Sequence, residues 1–218
     1  MNVADCLIAG GGFIGRAVAE ALGPAARLVP HDAVDGPGLL DGVRVVLWAG
    51  RHPDLGTARW ALAGDLELRM AQRAASAQVS FVSLGTRKVY APASGPLGED
   101  APVGPVDLYG RQKLRLEHAL ADILGPRLTR LRLANIFGYE HSPGRASFLG
   151  RVLATLAAEE EGYGRGRLVV LDPREQDAFV LRTDRLKGLV GGAACTPDDL
   201  RAACLAIGRR LREEATTV

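Results

Sequence analysis

Tyr109 and Lys113 stand four residues apart in "DLYGRQKLRLEHAL", and in a helix that spacing puts both on one face. A phenol ionises at about pH 10, too high for proton transfer near neutrality; a neighbouring ammonium acidifies it by favouring the phenolate. Such a pair can give or take a proton at a reacting oxygen. Surface helices also carry tyrosine and lysine at this spacing with no chemistry attached, so the pair alone decides nothing. The upstream run "VSFVSLGT" reads as a strand that delivers Thr86 to its C-terminal edge, where open parallel sheets bind ligands. The Thr86 hydroxyl either holds a substrate oxygen beside the phenol or merely caps the loop.

A second group of residues lies near the N-terminus. In "CLIAGGGFIGRAVAEAL", Gly10, Gly12 and Gly15 form GxGxxG directly after an apolar run of strand length and directly before a helical pattern, the setting a dinucleotide fingerprint requires. The first glycine allows the tight turn, the second admits a pyrophosphate to the backbone N–H groups, and the third lets helix pack close on strand. The helix N-terminus offers partial positive charge to the phosphates. Asp32 lies roughly twenty residues on, where a carboxylate would meet the ribose hydroxyls of the adenosine. It is equally readable as a loop aspartate. A carboxylate there favours NAD over NADP by repelling a 2′-phosphate, while His31 and Arg16 could compensate.

These residues need a scaffold that gathers them at one edge. Apolar runs recur at 3–9, 27–29, 43–49, 79–84 and 129–133, separated for the most part by helical periodicity. That alternation predicts an α/β fold, a Rossmann-type doubly wound parallel sheet with helices on both faces. The stretch 31–41 is too short and too rich in Gly and Pro for a long helix, so one crossover is abbreviated. Residues 1–138 are expected to form the dinucleotide-binding domain. Residues 139–218 are expected to form a small substrate-binding region that may return to the sheet around 168–190.

Composition bounds the partners. The chain has 218 residues, 47% of them hydrophobic, and a formal charge of +2 without a basic stripe, which argues against nucleic acid and for small-molecule chemistry. Three cysteines without metal spacing suggest reduced thiols in a cytoplasm. No basic leader is visible and no run of roughly eighteen apolar residues occurs, so neither a signal peptide nor a membrane span is predicted. His31, His52 and His141 lack a second ligand at metal spacing, and no metal site is expected. Trp48 and Trp60 are expected in the core.

Taken together, the motifs resemble the extended short-chain dehydrogenase/reductases of the NAD-dependent epimerase/dehydratase family, which act on sugar nucleotides. "AGGGFIG" is similar to the family's glycine motif, "VVLWAG" to its strand ending in paired small residues beside the cofactor, and "FVSLGTRKVYAP" to its Ser/Thr strand. "YGRQK" resembles YxxxK, "RLRLANIFG" the R-x-x-N-x-x-G strand, and "QDAFVLRTDRL" the RDFVxVDDL element. The resemblance implies that Gly10, Gly12, Phe13, Ile14, Gly15, Asp32, Ala49, Gly50, Tyr109 and Lys113 bind NAD or NADP, with NAD slightly favoured. Tyr109 would be the general acid/base, Lys113 would lower its pKa and bind the nicotinamide ribose, and Thr86 would hold the reacting oxygen. Thr86, Arg87 and Asn135 would contact a nucleotide-sugar substrate. In such a reductase the tyrosine protonates the new alkoxide as hydride arrives from the nicotinamide.

Departures from the family pattern narrow the chemistry. Arg87 and Lys88 occupy the positions where the 4,6-dehydratases carry an Asp-Glu pair, and the decarboxylases' glutamate is absent, so dehydration and decarboxylation are disfavoured. Ala61 replaces a usual asparagine, while Gly64 fits. After "TDRLKGLVGG" the usual second half of the substrate domain is missing. The compact plan resembles the short deoxysugar ketoreductases, such as the dTDP-4-dehydrorhamnose reductase type. An epimerase, or a non-catalytic dinucleotide-binding protein, is the alternative. The stretches "ALAGDLELRMAQRAA" and "DLYGRQKLRLEHALADIL" correspond to helices that such enzymes pair in a homodimer; packing only on their own sheet is the other reading.

Overall fold

A computed structural model describes residues 5–93, 95–133 and 136. By internal contacts the chain divides into two compact units, 1–93 with 101–134, and 94–100 with 135–218; every element named below belongs to the first. The expected boundary at 138/139 lies outside the described residues.

Among the described residues five parallel strands form one sheet: β1 (Cys6–Ala9), β2 (Ala26–Val29), β3 (Val45–Trp48), β4 (Ser80–Thr86) and β5 (Leu128–Leu133), in the order β2-β1-β3-β4-β5. Three helices connect them, α1 (Phe13–Leu22), α2 (Leu66–Ser76) and α3 (Leu108–Leu124). This is the doubly wound Rossmann-type sheet that the alternating pattern implied. The chain leaves β1 toward β2 on one side and then returns to β3 on the other. Because crossovers are right-handed, that reversal sends α1 to one face and α2 and α3 to the opposite face. Leu7, Ala9, Val46, Trp48 and Phe81 share one buried cluster with Met70, Ala71 and Ala74 of α2 and Leu116, Leu120 and Leu124 of α3. Ile8 and Leu47 are also buried but lie outside that cluster, as alternation along a strand demands. Trp48 and Trp60 are both core residues.

Local chemistry sets where the elements stop. The abbreviated crossover after β2 holds only a 3-10 turn, Ala33–Asp35. Helix α1 ends at Gly23 (φ +56°) and α3 at Gly125 (φ +54°), and in each case a proline follows and a 3-10 turn leads into the next strand. A left-handed backbone suits glycine, and proline cannot continue a helix. The stretch beginning at Ala61 becomes α-helical only at Leu66. Ala61 has no side chain to cap with, whereas Asp65 accepts the Glu67 N–H at 2.9 Å and the Trp60 indole N–H at 2.7 Å. Among the described residues no helix is long and apolar enough to cross a membrane.

Asp107 performs the same service for α3. One carboxylate oxygen accepts the Gly110 N–H at 2.6 Å, and the other accepts the Lys88 ammonium at 2.7 Å. The Lys88 hydrogen bond, helped by that of Gly110, holds the Asp107 carboxyl below the usual carboxylate range. A depressed carboxyl contributes stability that is complete above its unfolded-state value and is lost as the pH falls through the folded-state value. Asp107→Ala should therefore cost about 1 kcal/mol at neutral pH, the ordinary worth of an N-cap. In urea titrations the gap between variant and wild type should close as the pH is taken below about 4; a gap of constant size down to acid pH would show that the carboxylate's charge is irrelevant.

Candidate active site

The turn after β1 is built on bare backbone. Gly10 has φ +125°, and a Cβ there would collide with the Ala49–Gly50 backbone; a Cβ on Gly15 would collide with the Gly10 carbonyl. Gly10 N–H donates to Val29 O at 2.9 Å and Ala49 N–H donates to Ala9 O at 2.8 Å, so the ends of β1, β2 and β3 are tied at this point. Gly11 and Gly12 are different. Among the described residues, the adjoining chain apart, no atom lies within 4 Å of a Cβ built on either. Gly12 is the N-cap of that helix, with no side-chain capping bond and no acidic residue in the first turn. The first N–H groups of α1, beginning at Phe13 and Ile14, thus have no side-chain cap among the described residues, and such helix starts suit anions in general. The Arg16 Nε donates to Gly11 O at 2.8 Å and braces the loop. These features fit a dinucleotide pyrophosphate.

Around this turn stand the other expected cofactor residues. Asp32 is exposed at the start of the 3-10 turn after β2. His31 meets Trp48 edge-on, with ring centroids 6.4 Å apart, and occupies the space that a side chain on Gly50 would need. Ala49 and Gly50 thus lie where β3 ends, one against Gly15 and the other against His31.

Thr86 is the last residue of β4 and is buried. Its Oγ1 accepts the Lys88 N–H at 3.3 Å and caps a 3-10 turn, Arg87–Val89. The capping role is therefore real, and it uses an acceptor lone pair while the hydroxyl proton stays free to donate. Arg87 is buried within that turn, and Lys88 is engaged by Asp107. A Cβ on Gly110 would collide with the Lys88 carbonyl. Only glycine permits this approach, which seats the Thr86 turn against the first turn of α3.

Tyr109 lies in that first turn, half-buried against the core. The Arg51 guanidinium sits 5.6 Å from the centre of its ring, within range of a cation–π attraction. Gln112 straps the loop after β3 onto α3: its Oε1 accepts the Gly56 N–H at 2.7 Å and its Nε2 donates to Thr57 O at 2.8 Å. Lys113 is buried one turn along, with its Nζ 3.5 Å from Glu67 Oε2. Among the described residues that is the ammonium's one hydrogen bond. Ser83 Oγ donates to the other Glu67 oxygen at 2.5 Å. Burial pushes the Glu67 carboxyl up, and the Lys113 charge opposes that push.

Thr86, Tyr109 and Lys113 are thus gathered around one packing contact, and Gly10, Gly15, Ala49 and Gly50 around another. Asn135 lies outside the described residues. Arg51, Glu67, Ser83 and Gln112 were not foreseen. Gln112 was within reach, since it adjoins Lys113 in "YGRQK". Glu67 was not, because an acid in a helix's first turn usually points to solvent and needs no partner. Among the described residues no group of three or more His, Cys, Asp or Glu lies together as a metal site would require.

Comparison with known proteins agrees with this fold. The chain covers 95% of itself and 99% of a functionally unknown conserved protein from Silicibacter pomeroyi, at 22% identity and a TM-score of 0.62. MoeE5, solved with UDP-glucuronic acid and NAD, is similar over 69% of this chain and 60% of its own (19% identity, TM-score 0.56). A dTDP-4-dehydrorhamnose reductase from Clostridium acetobutylicum is similar over 71% and 59% (21%, 0.54). The chain thus spans about three fifths of the length of these two enzymes, and at such identities the likeness concerns the fold. No curated protein matches the chain. The profile described as the NAD dependent epimerase/dehydratase family matches residues 48–177, from the end of β3 onward and so beyond the glycine turn. With more than half of its length matched, the chain belongs to the NAD dependent epimerase/dehydratase family.

Proposed function

We propose that the protein binds NAD or NADP, NAD by preference, against the glycine turn and the end of β3, and reduces a keto group on a nucleotide-activated sugar, a deoxysugar in the narrowest form of the reading. The observation that carries this reading is Lys113. Its ammonium is buried one helical turn from Tyr109, yet has a single long hydrogen bond among the described residues. An ammonium has three donors, and burying them unspent is costly unless a ligand takes them. A ribose diol is such a ligand. MoeE5 was solved with NAD and a nucleotide sugar, and the clostridial neighbour is a nucleotide-sugar reductase, which supports the substrate class.

When bound, the nicotinamide supplies the hydride; the protein's task is to hold the carbonyl and manage its proton. Thr86, with its hydroxyl proton uncommitted, donates to the carbonyl oxygen. Tyr109 protonates that oxygen as it becomes an alkoxide. The Lys113 ammonium stabilises the phenolate left behind, and Arg51 adds positive charge over the ring. Arg87 and Asn135 are the proposed substrate contacts. Water elimination is disfavoured, because Arg87 and Lys88 stand where that chemistry would need a pair of carboxyl groups. We place the protein in the cytoplasm, as a homodimer joined through α2 and α3.

Gly12→Val tests the cofactor site cleanly, because the backbone there is ordinary (φ −78°) and a Cβ built on it meets no atom of the described residues within 4 Å. Thermal stability should be unchanged while calorimetric NADH and NADPH binding is lost; a variant that binds both as the wild type does places the cofactor elsewhere.

The reaction is tested by screening nucleotide sugars with each reduced cofactor and following NADH or NADPH absorbance. Stoichiometric oxidation is expected, whereas interconversion of sugars without net oxidation would mean epimerisation. With the substrate found, Tyr109→Phe should slow the chemical step by about a hundredfold or more and leave cofactor affinity nearly unchanged. A wild-type rate in that variant would remove Tyr109 from the mechanism.

A further inference from the structure

Lys113 reaches α2 through a carboxylate that occupies an unusual place. Glu67 is in the first turn of α2, where an acidic side chain ordinarily faces water and the helix dipole, yet it is 2% exposed. Its backbone is fixed by Asp65, which accepts the Glu67 N–H and is itself held by the Trp60 indole. Its side chain turns inward, one oxygen taking the Ser83 hydroxyl at 2.5 Å and the other lying 3.5 Å from the Lys113 ammonium. Both charges are buried, at 7% and 3% side-chain exposure. A well-packed apolar side chain would fill such a position at least as stably, so the pair calls for an explanation other than stability.

We propose that Glu67 is the positioning residue for Lys113: it supplies the buried counter-charge that holds the ammonium in place and aims its remaining donors at the cofactor. The neighbouring groups leave Glu67 alone in this role. Glu117, the next acid along α3, is taken by Arg132 at 2.8 Å. Asp65 is committed to its cap and to Trp60. The groups that face Glu67 are Lys113 from α3, Ser83 from β4 and Asp65 from its own helix; burial and Asp65 push its carboxyl up, while Lys113 and Ser83 pull it down. The long 3.5 Å contact suits a shared ammonium, held by the carboxylate but not saturated by it. The inference rests on the reading of Lys113 as a cofactor contact.

The test is binding of NADH to the full-length protein between pH 6 and 10, followed by NADH fluorescence, for the wild type, Lys113→Met, Glu67→Gln and Glu67→Asp, with melting temperatures recorded without cofactor. Lys113→Met should weaken NADH by about tenfold or more. Glu67→Gln should weaken it comparably and move the pH at which binding is half lost downward by about one unit, because a buried ammonium without a counter-charge gives up its proton more readily. Glu67→Asp should restore part of both effects. A purely structural role would lower the melting temperature without moving the pH midpoint, and that result overturns the proposal. So does a Glu67→Gln variant with wild-type affinity and pH profile while Lys113→Met is impaired. If Lys113→Met also binds as the wild type does, the reading of Lys113 as a cofactor contact falls first, and this inference with it. Should Glu67→Gln not fold, Ser83→Ala removes the hydroxyl that supports the carboxylate, and a smaller shift in the same direction is required.

Discussion

Everything at the strand ends depends on a contact between stretches of backbone with no side chains between them. Gly10 turns the chain out of β1 directly against Ala49 and Gly50 at the end of β3, and Gly15 brings α1 down onto the Gly10 carbonyl. Each approach is closer than any Cβ allows. Because β1 and β3 are adjacent while their following connections diverge to opposite faces of the sheet, the point of closest backbone contact is also the topological switch point, where open α/β sheets in general bind ligands. The first turn of α1 starts there without a capping side chain among the described residues. Tight packing and an uncapped helix start are two consequences of the same glycines.

The second centre is the N-terminal turn of α3, which is held from three directions. Asp107 caps it and ties it through Lys88 to the turn that follows Thr86. Gly110 lets that turn pack at backbone distance. Gln112 spends both ends of its amide on the loop after β3. Such over-determination fixes the turn after Thr86 against the turn of α3 that carries Tyr109. The exposed ion pairs, such as Arg59 with Asp54 and Arg69 with Asp35, do nothing comparable, since water screens them and their side chains are free to move.

Two ion pairs among the described residues, Glu117 with Arg132 and Glu67 with Lys113, are shielded from water, and both join α3 to its neighbours. Glu117 receives Arg132 of β5, whose guanidinium also lies 4.8 Å from the centre of the Tyr90 ring. Glu67 of α2 faces Lys113. In each case removing one partner would leave a desolvated charge behind, so the pairs define how α2, α3 and the sheet must fit together even where their net contribution to stability is small. The first pair is bonded through two guanidinium nitrogens and closed. The second is long, at 3.5 Å, and is the Lys113 ammonium's one hydrogen bond among the described residues.

The amino-acid order alone determined the fold class and most of the cast. Periodicity changes every few residues between strand and helix, glycine spacing is a local property of the backbone, and a Tyr–Lys separation of four residues is meaningful wherever a helix forms. Thr86, Tyr109, Lys113 and the glycines could therefore be named in advance, as could the short crossover after β2 and the core positions of Trp48 and Trp60. Strand and helix limits were legible only approximately: α2 begins at Leu66 rather than near Ala61 because its cap is set by Asp65 and the Trp60 indole. What only the tertiary structure decided is which groups meet across the fold. Gln112 reaches a loop more than fifty residues away, Arg51 comes to lie over Tyr109, and Glu67 turns inward to Ser83 and Lys113. A carboxylate in a helix's first turn reads the same whether it faces water or a buried ammonium. The difference lies in desolvation and partnership, and those exist only once distant segments have packed together.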